Sequence, residues 1–106
     1  MRRFTPLELH EYLGNGDNNP LLLDVREQWE FDYCQIDGSE LIPMGQIEHH
    51  TAVLDKHRET VVICHHGIRS RMVGRFLESQ GFRNIINLSD GVAAWASDVD
   101  LQMATY

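Results

Sequence analysis

Positive charge is scarce in this chain. Nine lysines and arginines face sixteen aspartates and glutamates, a formal net charge of −7 over 106 residues. That balance argues against nucleic acid or an anionic membrane surface as the main partner. Long apolar runs are missing too: none approaches the ~20 residues that a membrane span needs. The opening MRRFTPLELH has two arginines with no apolar stretch behind them, so a secretory leader is not expected. Cysteine is limited to Cys34 and Cys64, in dissimilar surroundings. This speaks against a structural disulfide and for a reduced, cytoplasmic protein. No internal repeat, low-complexity segment or linker interrupts the sequence. Its length leaves room for one domain, residues 1–106, with one modest core.

What is present is alternation. In FTPLELHEYL, Thr5, Pro6 and Glu8 read as an N-cap, a first-turn proline and a capping-box partner, with Leu9, Tyr12 and Leu13 following at helical spacing. NGDNNP is a turn cluster, and LLLDV (21–25) is a short apolar run of the kind that a strand covered on both faces shows. REQWEFDYCQ reads as one or two helical turns, with Trp29 as a packing anchor. IDGSELIPM holds a glycine turn and a short strand. GQIEHHTAVL is helix-like, with Ile47, Val53 and Leu54 facing inward. TVVIC (60–64) is the second strong strand. SRMVGRFLESQGF is an amphipathic helix with Met72, Val73, Phe76 and Leu77 on one face, Gly81 past its end and Phe82 folding back on Leu77. NIINL is a further strand, SDGVAAW opens a last helix carrying Trp95 as a second anchor, and 98–106 shows no pattern. Strands alternating with helices imply a largely parallel sheet covered on both sides. In such sheets ligands bind beyond the carboxyl ends of the strands. Asp24-Val25-Arg26 and Cys64 both sit at strand ends and therefore share that edge.

A free thiol has a pKa of about 8.5 and is mostly neutral at pH 7. Three features of VVICHHGIRSR favour the thiolate at Cys64. The loop leads straight into a helix, so its N–H groups converge on the sulfur. Gly67 permits an inward backbone turn. Arg69 brings permanent positive charge, with Arg71 and Arg75 nearby, and His65 and His66 add partial charge. The result is an anion nest centred on sulfur. The plainer alternative for a strand-end cysteine is a small buried hydrophobe.

LLLDVREQWEF, IDGSELIPM, VVICHHGIRS and LSDGVAAW, in that order over about 80 residues, resemble the blocks of a small bacterial-type rhodanese. The resemblance implies an α/β fold with a five-stranded parallel sheet and helices on both faces. It implies a sulfurtransferase of the thiosulfate:cyanide type, with Cys64 as the sulfur carrier. Cys64 would take a sulfane sulfur as a persulfide from thiosulfate, polysulfide or a protein persulfide and pass it to cyanide or a thiol. The loop His65, His66, Gly67, Ile68, Arg69 and Ser70 would cradle that persulfide, and Asp24 and Arg26 match an Asp-x-Arg that supports the site. No cofactor is implied.

The chain departs from the family at Cys34-Gln35, where Gly-His is usual, and at Asp90-Gly91, where Gly-Gly is usual. His65 and His66 replace the Arg or Lys common in thiosulfate-using relatives, which points to weak thiosulfate affinity. Related phosphatases and arsenate reductases place an arginine six positions after their cysteine; Arg69 is five after Cys64, a tighter ring suited to one sulfur atom. The same fold also serves as a non-catalytic binding module, usually without the cysteine. Histidines 10, 49, 50, 57, 65 and 66 match no zinc spacing, so no metal site is expected. Cys34 is read as a partly buried bystander, with a resolving thiol as the alternative.

Overall fold

The computed structural model describes all 106 residues. Five parallel strands form one sheet: β1 Arg2–Phe4, β2 Leu21–Asp24, β3 Glu40–Leu41, β4 Thr60–Ile63 and β5 Ile85–Leu88, in the order β1-β5-β4-β2-β3. Helices α1 Pro6–Gly14, α2 Gln28–Tyr33, α3 Ile68–Ser79 and α4 Gly91–Asp98 alternate with them, and a 3-10 helix spans Met44–His49.

The sheet divides the core by side-chain alternation. Leu21, Leu23, Val25, Val62, Cys64 and Ile85 project to the side where α3 supplies Val73 and Leu77. Leu22, Val61, Ile63, Ile86 and Leu88 project to the side where α1 supplies Leu9 and α4 supplies Val92 and Trp95. Helices therefore cover both faces, as the apolar runs imply. The Thr5–Glu8 capping box is formed with both of its bonds. α3 ends in a complete Schellman motif: Gly81 at φ +94, its N–H on the Glu78 carbonyl, and the Phe82 N–H on the Leu77 carbonyl.

Some expected inward residues are not inward. Val53 is 79% exposed, because the 3-10 helix stops at His49 and the chain continues as turns. Met72 is also exposed, lying one step off the Val73–Leu77 stripe that meets the sheet, and Phe76 is only partly buried. Trp29 stands mostly in solvent, so of the two tryptophans only Trp95 is a buried anchor. β1 carries no apolar run, being an edge strand with two exposed arginines, and nothing in MRRF distinguishes it from coil.

Candidate active site

β4 is the central strand, with β5 on one side and β2 on the other. From β2 the chain moves outward to β3, and from β4 it moves outward to β5. The loops after β2 and β4 thus part in opposite directions, which opens a crevice at the carboxyl edge between them. Cys64 lies at its base, 1% exposed.

Two backbone N–H groups point at the Cys64 sulfur: Gly67 at 3.0 Å and Ser70 at 3.3 Å. Ser70 is the third residue of α3, so the second donor is one of the N–H groups a helix start leaves unpaired. The Ser70 Oγ lies 3.3 Å from the sulfur and hydrogen-bonds the Asn87 side-chain oxygen, while Asn87 Nδ2 donates to the Gly67 carbonyl at 3.3 Å. Gly67 takes φ +92, and a Cβ there would stand 3.0 Å from the Asp90 nitrogen, so the turn that aims its N–H at sulfur has no room for a side chain.

A second helix start holds the outer side of the loop. Val92 N–H donates to the Cys64 carbonyl at 2.9 Å and Ala93 N–H to the His65 carbonyl at 3.0 Å. A Cβ on Gly91 would fall 2.2 Å from the Cys64 carbonyl oxygen. The Asp90-Gly91 departure thus changes only the tolerant position: Asp90 adopts φ +60, which aspartate accepts more readily than most residues, and the glycine remains where backbone meets backbone.

Arg69 does not stand free beside the sulfur. Its guanidinium grips Glu30 through two bonds, 2.7 and 2.9 Å. Glu30, nearly buried, also accepts from Glu27 N–H at 2.9 Å and from the Tyr106 hydroxyl at 2.7 Å. The Arg69 pair, reinforced by the other two donors, holds its carboxyl at about 2 despite the cost of burial. Arg69's own pKa is raised by the same pairing. Burial, with His66 beside it, lowers the pKa of His65, which works against the partial charge expected of it. Arg71 and Arg75 are exposed; Arg71 lines a polar hollow of about 530 Å³ with Arg3 and His66 on the flank of the loop. Ile68 is exposed at the loop's rim.

Asp24 and Arg26 form a fully buried bidentate pair, with bonds of 2.8 to 3.1 Å. Burial opposes the Arg26 charge, but Asp24 and the Tyr106 hydroxyl outweigh it and raise its pKa. Arg26 also donates to the Cys34 carbonyl at 2.6 Å and to Tyr106 Oη at 2.8 Å. Cys34 ends α2, half-buried, and packs on the α1–α4 side of the sheet, opposite to the side on which Cys64 lies.

Sequence reasoning missed Glu30, Asn87 and Tyr106. Asn87 leaves a signal, a polar residue inside a strand otherwise apolar. Glu30 resembles any helical carboxylate in sequence, and Tyr106 lies in a segment without periodicity.

The chain matches the Rhodanese-like domain family over residues 5–98. It belongs to the rhodanese-like family. It is 32% identical over 74 residues to the thiosulfate sulfurtransferase GlpE of Shewanella oneidensis, covering 70% of this chain and 73% of that protein. Over 94 residues it is 34% identical to YrkF of Bacillus subtilis, named for sulfur carriage; there 89% of this chain matches 51% of the relative, so the chain spans about half that protein's length. Among solved structures, a rhodanese-like domain protein from Staphylococcus aureus superimposes with a TM-score of 0.83 at 29% identity, covering 90% of this chain and 91% of that one. The five-stranded parallel sheet with flanking helices is therefore the rhodanese fold, and the family's chemistry is sulfur transfer. No helix is long and apolar enough to cross a membrane.

Proposed function

We propose that this rhodanese-like chain is a sulfurtransferase that carries sulfane sulfur as a persulfide on Cys64. The observation that supports this most directly is the pair of N–H donors from Gly67 and Ser70 on the Cys64 sulfur. Such donors favour sulfur that bears negative charge, the form that attacks.

In the first step the Cys64 thiolate attacks the outer sulfur of the donor. One S–S bond forms and the donor's own S–S bond breaks. A thiolate leaves when the donor is a persulfide, a polysulfide shorter by one sulfur when it is a polysulfide, and sulfite when it is thiosulfate. The enzyme then holds Cys–S–S⁻, with the negative charge still within the loop. In the second step cyanide or a thiolate attacks the terminal sulfur, and Cys64 departs as thiolate. Charge is conserved throughout, and no electron carrier is needed. The Arg69–Glu30 pair and the Asn87 bonds hold the loop in one shape through both steps, and Asp24 and Arg26 support it from the β2 side.

Intact mass before and after incubation with polysulfide or thiosulfate tests the reading. Wild type gains one sulfur atom, which cyanide removes. A chain that gains none from either donor, with Cys64 shown to be reduced, is not this enzyme.

A further inference from the structure

We infer that Tyr106, outside the 5–98 segment that the family match covers, is a positioning residue for the sulfur-carrying loop, which it fastens at both ends. Its hydroxyl sits between two ion pairs. It accepts from Arg26 Nη1 at 2.8 Å and donates to Glu30 Oε2 at 2.7 Å, and Glu30 in turn grips Arg69 near the loop's end. Its ring lies on His65 near the loop's start, with centroids 4.1 Å apart and planes within 18°. The His66 ring also lies 4.1 Å from His65, tilted by 34°.

Several contacts hold the tyrosine itself. Trp29 and Tyr33 of α2 meet its ring edge-on at 5.3 and 5.6 Å, and the Tyr33 hydroxyl donates to the Thr105 carbonyl at 3.0 Å. This gives exposed Trp29 and Tyr33 a role that core packing does not: they seat the residue that spans the loop. The hydroxyl matters separately from the ring. It is one of four donors on the Glu30 carboxylate, and it receives an N–H of a guanidinium with no access to water. Removing it takes one of those four donors from Glu30 and the nearest acceptor from Arg26 Nη1, which keeps only its longer contacts to the Glu30 carbonyl at 3.3 Å and the Cys34 sulfur at 3.8 Å. Weakening hydrogen bonds to buried charged groups carries a cost. The ring acts on His65 alone. Two functional parts of one side chain thus address two ends of one loop, and they can be tested apart.

The rate readout rests on the sulfur-transfer reading; the other readouts do not. In the full chain, Tyr106→Phe keeps the stack and loses the hydroxyl, while Tyr106→Ala loses both. The Gly67 and Ser70 amides should exchange with solvent about tenfold faster in Tyr106→Ala, with Val61 and Val62 of β4 unchanged, which separates loop release from general destabilisation. The His65 imidazole, followed by NMR titration, should keep its midpoint in Tyr106→Phe and shift upward in Tyr106→Ala, where the covering ring is gone. Tyr106→Phe should lower kcat for sulfur transfer about fivefold with little change in donor KM, the net scale of one ordinary hydrogen bond. In a Glu30→Gln background the same substitution should cost less than about 1.5-fold, because the route through Glu30 is already broken. The inference is overturned by wild-type exchange at Gly67 and Ser70 in Tyr106→Ala, by equal His65 midpoints in all three proteins, or by full additivity with Glu30→Gln. If wild type takes up no sulfur, the sulfur-transfer reading fails, and amide exchange and the His65 titration still decide the role of Tyr106.

Discussion

Cys64 and Cys34 present the same thiol to opposite surroundings. Cys64 follows the central strand and meets N–H groups from Gly67 and from the start of α3, while the start of α4 holds the carbonyls beside it. Cys34 follows a six-residue helix, and its own N–H closes that helix on Glu30 at 3.1 Å. The nearest polar hydrogen to its sulfur belongs to Arg26 Nη1, 3.8 Å away and already engaged by Tyr106 and the Glu30 carbonyl. Neither cysteine owes its situation to a neighbouring charged side chain alone. Backbone direction makes the difference: at Cys64 two helix starts converge on the residue, and at Cys34 a helix ends.

The largest effect should come from exchanging oxygen for sulfur at each position. Cys64→Ser should abolish sulfur uptake in the intact-mass assay while the melting temperature stays close to wild type, since the change is nearly isosteric. Cys34→Ser should keep turnover within about twofold of wild type, because its sulfur packs on the other side of the sheet and its one polar contact, to Arg26, is long. Loss of activity in both variants to the same degree would erase the distinction and make Cys34 a partner in the reaction.

Next in size is the close approach that locks the loop against α4. In Gly91→Ala the new Cβ would overlap the carbonyls of Cys64 and His65, at a φ that alanine resists. A stability loss of about 2–4 kcal/mol is expected from denaturant unfolding, the range of strain at a backbone contact. Asp90→Gly should be neutral or slightly stabilising, since glycine accepts the φ of +60 at lower cost. A Gly91→Ala chain as stable as wild type would show that the two helix starts are not rigidly joined through the loop.

The ion pair at the loop's far end should show itself in acid. Glu30 is held at about 2 against an ordinary 4.5, chiefly by Arg69. Its folded value lies below its unfolded one, so its contribution to stability is complete above about 4.5 and is lost as pH falls toward 2. Unfolding free energies measured from pH 6 down to pH 3 should therefore fall more steeply for wild type than for Glu30→Gln, which has no charge to lose. Parallel curves would mean that Glu30 is not ionised in the folded protein at low pH.

Much of this was legible from sequence because it follows from local rules. The Thr5–Glu8 box, the Schellman turn at Gly81–Phe82 and the runs 21–25 and 60–64 depend on near neighbours and on period. The same holds for Cys64, Gly67 and Ser70, three members of one short loop. The braces do not obey such rules. Glu30 meets Arg69 across 39 positions, Ser70 meets Asn87 across 17, and Tyr106 meets Glu30 across 76. Each is created by chain crossover and leaves little or no periodic trace. The four-block resemblance implied five strands where periodicity showed four, but it did not place β1, whose exposed arginines give no strand signal. It could not supply Tyr106, which lies past the matched residues.

The smallest effects should concern which donor reaches Cys64. Arg69 is tied to Glu30 and burial disfavours the charged form of His65, so the solvent-facing positive charge nearest the loop is that of Arg71 and Arg3, in the hollow they share with His66 and the opposing Asp90. Against a net charge of −7 it gives thiosulfate, a dianion, only modest attraction. The KM for thiosulfate should accordingly be high. It should rise a few-fold in Arg71→Glu and fall a few-fold in His66→Arg, which adds fixed charge to the same hollow. Both shifts should shrink with added salt, because exposed charges are screened over ~8–10 Å at physiological ionic strength. kcat should hold in each case, since neither residue touches the sulfur. Steady-state transfer from thiosulfate to cyanide at two salt concentrations makes the measurement. If KM is low in wild type and indifferent to salt and to both substitutions, thiosulfate is bound by the loop's N–H groups alone and the hollow plays no part in donor choice. If kcat moves instead of KM, the charge acts on the chemistry at Cys64, and the contrast between the two thiols then includes side-chain charge as well as backbone direction.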